Sequence, residues 1–414
     1  MTSNNDLRNV YDSIHWWEAF FNVFKSPIGT GILTLPEAFL TAGMVSGSIG
    51  LVFVATVCIL SLNLLLDANK WACKKLEVSA LSYGDLVEFA FSENSVFRRI
   101  SHLGKFVANL IIFMFQFLVC CAYIRITAET FNDFIVSVFG TTAKIPFWTL
   151  ILLMELPFGA IAVVRNMRIV SVFSGMALLL LAICLLSIFT EITTNLHSPK
   201  GLPLYTNFWM TALLIGRVIY SMESIATILP IENKMKRPEH FRMVLNVSFI
   251  LITFIYLAFA LIGFIKYRFK VADVVTVKLP HNLFFIMIRG LFGVTILLTY
   301  SIQFYAVIMV MTPVIVKYVN GNNALYVASF ITATVQVVVA GLLPNIGLAL
   351  SFIGGSCGAV MYVIFPPLVA FLMKLSDASS STLGKIFYLS YCGIIFVFGC
   401  FITYFSTYVA VAEF

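Results

Sequence analysis

Long apolar runs are the feature that most limits what this chain can fold into. A helix that crosses the hydrocarbon core of a bilayer needs about 20 mainly apolar residues. Eleven runs in the sequence meet this requirement, and so many spans predict an all-α, polytopic membrane protein. Their approximate bounds are 16–43, 47–69, 104–137, 146–164, 168–191, 207–231, 242–267, 283–317, 324–343, 346–374 and 384–411.

The composition supports this fold class. Hydrophobic residues make up 60% of the 414 residues and charged residues only 11%, whereas a soluble domain is about half apolar and about one quarter charged. A soluble enzyme, a nucleic-acid-binding protein and a secreted disulfide scaffold are therefore disfavoured, and the lipid bilayer is the expected environment. The eight Cys show no metal-ligand spacing, so we predict neither a metal site nor a cofactor.

The Lys and Arg residues fall mainly in alternate loops, at 70–99, 165–168 and 234–242. Cytoplasmic loops are enriched in these residues. We therefore predict a cytoplasmic N-terminal tail, residues 1–14, followed by one transmembrane domain, residues 15–412. Four basic residues at 266–278 argue against this orientation. Both the plasma membrane and an endolysosomal membrane fit the sequence.

The first predicted span carries a run of Gly and Pro near its middle. Residues 25–36 read KSPIGTGILTLP, so that Gly29 and Gly31 flank Thr30 and a Pro stands on each side. Such a run disfavours a continuous helix, because Gly is flexible and Pro cannot donate a backbone hydrogen bond. Irregular backbone at membrane depth is stable only where it lines a polar cavity. We predict a broken helix, with a simple kink as the alternative.

A second interruption lies in the sixth predicted span, where Glu223 stands in an apolar segment that ends at Leu229-Pro230. A carboxylate at this depth needs a cation, water or a proton. The two interrupted spans correspond if residues 16–191 and 207–374 are two repeats, followed by an extra helix at 384–411. Paired broken helices in matching halves indicate a transporter site at the membrane midplane. A channel and an intramembrane enzyme lack comparable motifs here.

The chemistry of broken helices points to a zwitterionic ligand. The start of a half-helix exposes backbone N–H groups, which suit a carboxylate. The amides of Gly29, Thr30 and Gly31 would supply them, and the missing Gly side chains would allow close approach. The end of a half-helix exposes carbonyl groups, which suit an ammonium group. The expected ligand is therefore an α-amino acid.

Several motifs are similar to those of one family. The sequence IGTGIL at 28–33, followed by LPEAF at 35–39, and the sequence LPIENKMKRP at 229–238 resemble signatures of the proton-coupled amino-acid transporters in the amino acid/auxin permease group. The resemblance covers about residues 18–410. It implies eleven helices in a LeuT-like 5+5 inverted repeat and transport of small neutral amino acids, with no protein partner indicated.

The resemblance also implies roles for individual residues. The substrate carboxylate would be held at the first break, Glu223 would be the coupling carboxylate, and Lys25 and Arg217 are candidate counter-ions by their nearness in sequence. The residues expected to hold or contact the substrate are Gly29, Thr30, Gly31, Tyr123, Tyr220, Ser221 and Met222.

The sequence also departs from the family pattern. Asn22 occupies a position where family members commonly carry a His implicated in proton coupling, and Asn cannot titrate. Proton coupling would then rest on Glu223, and sodium coupling stays an alternative. An amino-acid sensor with a signalling output and little flux is the alternative function.

Three further charges have structural explanations. Arg125 and Glu129 are four residues apart, which predicts an ion pair on one helix face, with an outer gate as the alternative. For Glu155 we predict pairing with a neighbour, with a proton relay as the alternative.

Overall fold

The computed structural model describes residues 14–78, 80–164, 166–318, 322–343, 345–376 and 382–413. Within these ranges the regular structure is helical, apart from an isolated β-bridge between Ile14 and Met235. The predicted all-α class is therefore confirmed. The predicted tail lies outside the described residues except for Ile14, and so does Arg165.

Nine helices in the described part of the chain are long and apolar enough to cross a membrane, and Phe147–Ala162 is a shorter apolar helix. The first predicted span consists of two short pieces, and the count of eleven stays a prediction. We label the helices α1a (Trp16–Lys25), α1b (Leu35–Ala42), α2 (Met44–Leu76), α3 (Ser101–Phe139), α4a (Phe147–Leu153), α4b (Glu155–Ala162), α5 (Met167–Thr193), α6a (Phe208–Ser221), α6b (Ile225–Lys234), α7 (Phe241–Tyr267), α8 (Leu283–Tyr318), α9 (Asn322–Leu342), α10 (Ile346–Ser376) and α11 (Thr382–Ala412).

The first span breaks where the sequence predicts it. Helix α1a ends at Lys25, a 3₁₀ turn follows at Thr30–Thr34, and α1b begins at Leu35. Pro27 and Pro36 stand at the two edges of this irregular stretch and cannot donate backbone hydrogen bonds. The chain therefore leaves the α-helix over residues 26–34, about two and a half turns, and then resumes it.

The sixth span breaks at Met222–Ser224, between α6a and α6b. Helix α6a lies very close to α10, because Gly216 and Gly354 have no side chains. A Cβ atom at Gly354 would stand 2.7 Å from the backbone nitrogen of Tyr220. This close backbone packing fixes the end of α6a beside the middle of α10.

Helix α10 is itself irregular in its middle. Residues Gly354–Gly358 and Val360–Ile364 form π-helical turns, and α-helical geometry resumes at Phe365. Pro366 and Pro367 follow directly and cannot donate to the carbonyl groups one turn earlier. π-turns are rare and are frequent at functional sites. The second of these turns, Val360–Ile364, carries Tyr362, which is fully buried.

The remaining helices surround α1 and α6. Helix α8 packs along α3 and α5, helix α9 packs against α3 and α4b, and α11 packs on α6a and α10. The loop after α2 contains an amphipathic helix, Tyr83–Glu93, which packs on α3 and the end of α10. The predicted bounds of the two repeats stay predictions.

Candidate functional site

The two broken helices meet each other. The hydroxyl groups of Thr30 and Tyr220 lie 3.2 Å apart, within hydrogen-bonding distance. A Cβ atom at Gly31 would stand 2.8 Å from the Cα atom of Ser221, so no larger residue fits there without movement. The structure thus brings together four of the predicted site residues, two from each break.

Tyr123 of α3 joins this group from the side. A Cβ atom at Gly29 would lie 3.4 Å from the Tyr123 hydroxyl oxygen, so the ring tip faces the first break. Tyr123 and Glu223 both lie beside Gln303 of α8. Ser221 and Met222 are buried, and the Ser221 hydroxyl donates to the carbonyl of Arg217 at 2.9 Å.

The first break leaves backbone N–H groups available. The first N–H groups of a helix have no acceptor inside it, and here the 3₁₀ turn begins at Thr30, directly after Gly29. Two carbonyl groups of this stretch are occupied: that of Gly31 accepts from the Thr34 hydroxyl at 2.8 Å, and that of Pro27 accepts from Tyr256 at 2.7 Å. The start of the helical turn at Thr30 therefore contributes partial positive charge at this break.

At the second break the helix start is closed by a side chain. The Tyr362 hydroxyl of α10 accepts hydrogen bonds from the backbone N–H groups of Ser224 and Ile225, the latter at 2.6 Å. The Tyr256 hydroxyl of α7 lies 2.9 Å from the carbonyl of Ser221 as well as near Pro27. One tyrosine therefore closes the start of α6b, and another connects the two breaks.

Glu223 lies among neutral amide groups. The Gln116 side chain of α3 donates to Glu223 Oε1 at 2.7 Å, and Gln303 lies beside the same carboxyl group. Glu223 keeps part of its surface accessible, whereas Gln116 is buried. Within the described part of the chain, no ion pair includes Glu223.

The two predicted counter-ions have other partners in this structure, and their roles as counter-ions of Glu223 stay predictions. Arg217 forms an ion pair with Glu37 of α1b and donates to the carbonyl of Thr34 at 3.3 Å. Lys25 donates to the hydroxyl of Ser174 on α5 at 2.9 Å. The physical reason for Arg217 is its position: six residues before Glu223 on α6a, it points toward α1b rather than toward the break.

Further polar contacts lie at the end of the molecule where α1b and α6a meet. The predicted pair of Arg125 and Glu129 is confirmed at 2.6 Å, and Arg125 also donates to the carbonyl of Leu343 at 3.2 Å. In the α7–α8 loop, burial and the nearby Glu37 raise the pKa of Asp273 above its usual range, despite the opposing charges of Arg217 and Arg125. The short helix Val275–Lys278 then packs against the 3₁₀ turn of the first break.

The opposite end ties α1a to α6b. Ile14 N–H donates to the carbonyl of Lys234, and Lys236 N–H donates to the carbonyl of Ile14, both at 2.9 Å. The hydroxyl groups of Ser26 and Thr227 lie 2.7 Å apart. In this structure, therefore, both ends of the broken helices are held together by direct contacts.

Two other sequence-based expectations concern residues away from the breaks. Glu155 does have a neighbour, since the Thr334 hydroxyl of α9 donates to its Oε1 atom at 2.9 Å. Asn22 is exposed on α1a. The sequence analysis missed Gln116, Tyr256 and Tyr362. A Gln inside an apolar span could have signalled the first, whereas the two Tyr resemble ordinary core residues.

Solved structures support the fold. The structure of MhsT in complex with L-phenylalanine matches with a TM-score of 0.51 and 12% identity, covering 94% of this chain and 98% of that chain. A Na⁺-coupled sialic acid symporter in a substrate-bound outward-open state matches with a TM-score of 0.52 and 14% identity, covering 97% of this chain and 90% of that chain. The LeuT-like fold is thus confirmed.

Sequence relatives carry the comparison further. A proton-coupled amino acid transporter-like protein, pathetic, from Drosophila melanogaster is 25% identical over 86% of this chain and 76% of its own length. Vacuolar amino acid transporter 3 from Schizosaccharomyces pombe is 25% identical over 94% of this chain, which spans 57% of that relative. The profile of the transmembrane amino acid transporter proteins matches residues 12–412. The chain is therefore a multi-pass membrane protein that belongs to the transmembrane amino acid transporter family, a family of transporters rather than enzymes.

Proposed function

We propose that this chain carries small neutral amino acids across a membrane by alternating access, with the substrate at the meeting point of the two breaks. The observation that carries the proposal is the direct contact of the breaks, at Thr30–Tyr220 and at Gly31–Ser221, beside open backbone N–H groups. Those N–H groups would bind the substrate carboxylate. The carbonyl end of α6a would face the ammonium group.

The charges around the breaks favour a neutral substrate side chain. Glu223 is the acidic group beside this point, and its neighbours Gln116 and Gln303 are uncharged amides. An acidic substrate side chain would need a cation, but Arg217 and Lys25 are engaged elsewhere.

We propose a proton as the coupling ion, carried by Glu223. A carboxylate held by neutral amides at membrane depth can be stabilised by taking up a proton. Substrate arrival and protonation would then favour closure around the site together. The name of the Drosophila relative, which includes the words proton-coupled, agrees with this choice. Sodium is the alternative that the experiment must separate.

Alternating access would use the contacts at the two ends in turn. Opening toward one side requires separation of Arg217 from Glu37, and opening toward the other requires separation of Ile14 from Lys234 and Lys236. The proposed orientation places the second set of contacts on the cytoplasmic side. Localisation of the tagged protein in cells distinguishes the plasma membrane from an endolysosomal membrane.

The test is uptake of radiolabelled amino acids into proteoliposomes that contain the purified chain. We expect alanine-sized neutral substrates to be taken up faster under an inward proton gradient, with or without sodium. Glu223→Gln should abolish the stimulation by the proton gradient. Glu155→Gln is the matched control, because it changes a carboxyl in another membrane helix that bonds only Thr334 among the hydrogen bonds described.

Three outcomes would contradict parts of this proposal. Stimulation that survives in Glu223→Gln would remove Glu223 from the coupling mechanism. Uptake that depends on sodium and ignores the proton gradient would replace the coupling ion. Binding of an amino acid without uptake under any gradient would favour the sensor alternative over transport.

A further inference from the structure

A groove opens at one end of the molecule, away from the two breaks. It has a volume of about 700 Å³ and lies between the start of α1a and the turn that joins α6b to α7. Ligand sites in proteins have volumes of about 300–1,000 Å³. The residues that line it include Trp16, Phe20, Lys236, Arg237, His240 and Met243.

The rim of this groove is basic. Lys236 and Arg237 are exposed, and His15 and His240 add imidazole groups beside them. The nearest acidic group on α1a, Glu18, accepts a hydrogen bond from the His15 backbone N–H at 2.6 Å and is not part of the lining. Glu239 lies next to His240 in sequence but is not part of the lining either. The groove therefore presents positive charge to a ligand.

The floor of the groove is apolar and continues along α7. Met243 is 70% exposed, Val247 follows one turn later, and Phe254 is 66% exposed two turns beyond that. Residues four and seven apart lie on one helix face. This face belongs to a helix that is long and apolar enough to cross a membrane. The basic rim thus stands at the end of an apolar stripe that faces lipid.

We propose that this groove binds an anionic phospholipid. The lipid phosphate lies against Lys236 and Arg237, and an acyl chain follows Met243, Val247 and Phe254 along α7. Trp16 is 62% exposed at the groove and packs at the level of the headgroup, where Trp side chains are enriched. The proposed orientation puts the groove in the cytoplasmic leaflet, which carries most anionic lipid.

The bound lipid has a mechanical consequence. It contacts α1a on one side and the α6b–α7 turn on the other, the same two parts that the Ile14 backbone bonds connect. Helix α1a is connected to α1b through the irregular stretch after Lys25. The lipid therefore stabilises the arrangement in which α1a is packed against α6b.

The experiment measures lipid binding by the full-length purified protein in detergent. Native mass spectrometry is used with added phosphatidylserine or phosphatidylcholine, and thermal unfolding is followed in parallel. We expect selective retention of phosphatidylserine and a higher melting temperature with it. Because the lipid is added to solubilised protein, the result does not depend on orientation or on transport.

The double variant K236Q/R237Q should lower the affinity for phosphatidylserine by about tenfold or more, since each basic group near an anionic surface contributes measurably. The matched control K74Q/R99Q removes the same charge from exposed positions outside the groove and should bind as the wild type does. The variant K236R/R237K keeps the charge and should keep the selectivity. It also shows that the substituted segment still folds.

A second readout uses Trp16 directly. Brominated phosphatidylserine quenches nearby Trp fluorescence, and we expect the Trp16→Phe variant to lose the part of the quenching that K236Q/R237Q also loses. Equal phosphatidylserine affinity in K236Q/R237Q and the wild type would overturn the proposal. Equal retention of phosphatidylcholine would also overturn it, as would binding that appears only after residues 1–13 are removed.

Discussion

The two helix breaks meet at one point, but they are built differently. The first contains Gly29 and Gly31, and among the described residues no side chain caps the helical turn that starts after Gly29. The second reads Tyr-Ser-Met-Glu-Ser at 220–224, contains no Gly, and has its helix start closed by the Tyr362 hydroxyl. The first break therefore contributes backbone to the site, and the second contributes side chains.

This difference has a functional meaning. In the proposed mechanism the ligand carboxylate binds at the first break, because Tyr362 already accepts hydrogen bonds from the N–H groups of Ser224 and Ile225 at the second. Selectivity for the substrate side chain and the coupling carboxylate then belong to the second break. Changes at the first break should abolish binding of any amino acid, whereas changes at the second should alter rate, selectivity or coupling.

The largest effect should come from Gly31→Val. Its Cβ atom would stand 2.8 Å from the Ser221 Cα atom, so the two breaks would have to separate. We expect uptake to fall by about 100-fold or more for every substrate. Gly393→Val on α11 is the control, because no atom of another helix in the described part of the chain lies within 4 Å of a Cβ there. Normal uptake by Gly31→Val would mean that the breaks need not touch.

A smaller effect is expected for Tyr256→Phe, which removes the hydroxyl between the carbonyl groups of Pro27 and Ser221. A buried carbonyl left without a donor costs about 1–3 kcal/mol. The maximal uptake rate should fall about tenfold, with selectivity unchanged. Tyr267→Phe on the same helix is the control, because its buried hydroxyl has no hydrogen-bond partner among the described residues. Equal rates in both variants would show that Tyr256 does not connect the breaks.

Tyr362→Phe tests the closed helix start directly. The backbone N–H groups of Ser224 and Ile225 would lose their acceptor, which should lower the free energy of unfolding by about 1–3 kcal/mol. The KM for the substrate should change by less than about threefold, because the carboxylate is bound at the first break. The exposed Tyr404→Phe is the control in thermal unfolding and uptake. A large rise in KM would assign the carboxylate to the second break.

The smallest effect concerns the loop that covers the first break. Burial and Glu37 raise the pKa of Asp273 above its usual value of 3.8 when the loop is packed. A carboxyl with a raised pKa destabilises the packed state while it is ionised, and this penalty disappears as the pH falls through the raised pKa. Acidification should therefore favour packing of the loop over the first break.

Hydrogen exchange of residues 271–279 can measure this effect, with the wild type and Asp273→Asn compared at the same series of pH values. Protection in the wild type should rise as the pH falls from neutral toward the raised pKa, by about threefold or less. In Asp273→Asn the protection should already be high at neutral pH and should not change further. A wild-type loop whose protection falls on acidification would contradict the sign of the effect.

The sequence predicted the breaks because their signals are local. Gly, Pro and an isolated Glu223 in apolar runs can be read without any tertiary information, and so can the pairing of Arg125 with Glu129. The partners across helices could not be predicted in this way. Arg217 was assigned to Glu223 because the two are close in sequence, but its pairing with Glu37 depends on how α1b packs against α6a.

The missed residues illustrate the same limit. Tyr256 and Tyr362 lie in apolar helices, where a Tyr is usually a packing residue, and their roles depend on which backbone groups their hydroxyls reach. The irregular turns of α10 also escaped prediction. Pro366 and Pro367 can be read from the sequence, but the widened turn before them depends on packing against α6a and α11.

The π-helical turns of α10 also limit how the length of this helix can change. A π-turn holds one residue more than an α-turn, so every residue after it is rotated relative to those before. Deleting one residue between Gly358 and Tyr362 would rotate the Tyr362 side chain by about 100° relative to Gly354. The glycine that lets α6a approach and the hydroxyl that closes α6b would then point in different directions. The number of residues in this stretch is therefore as constrained as their identity.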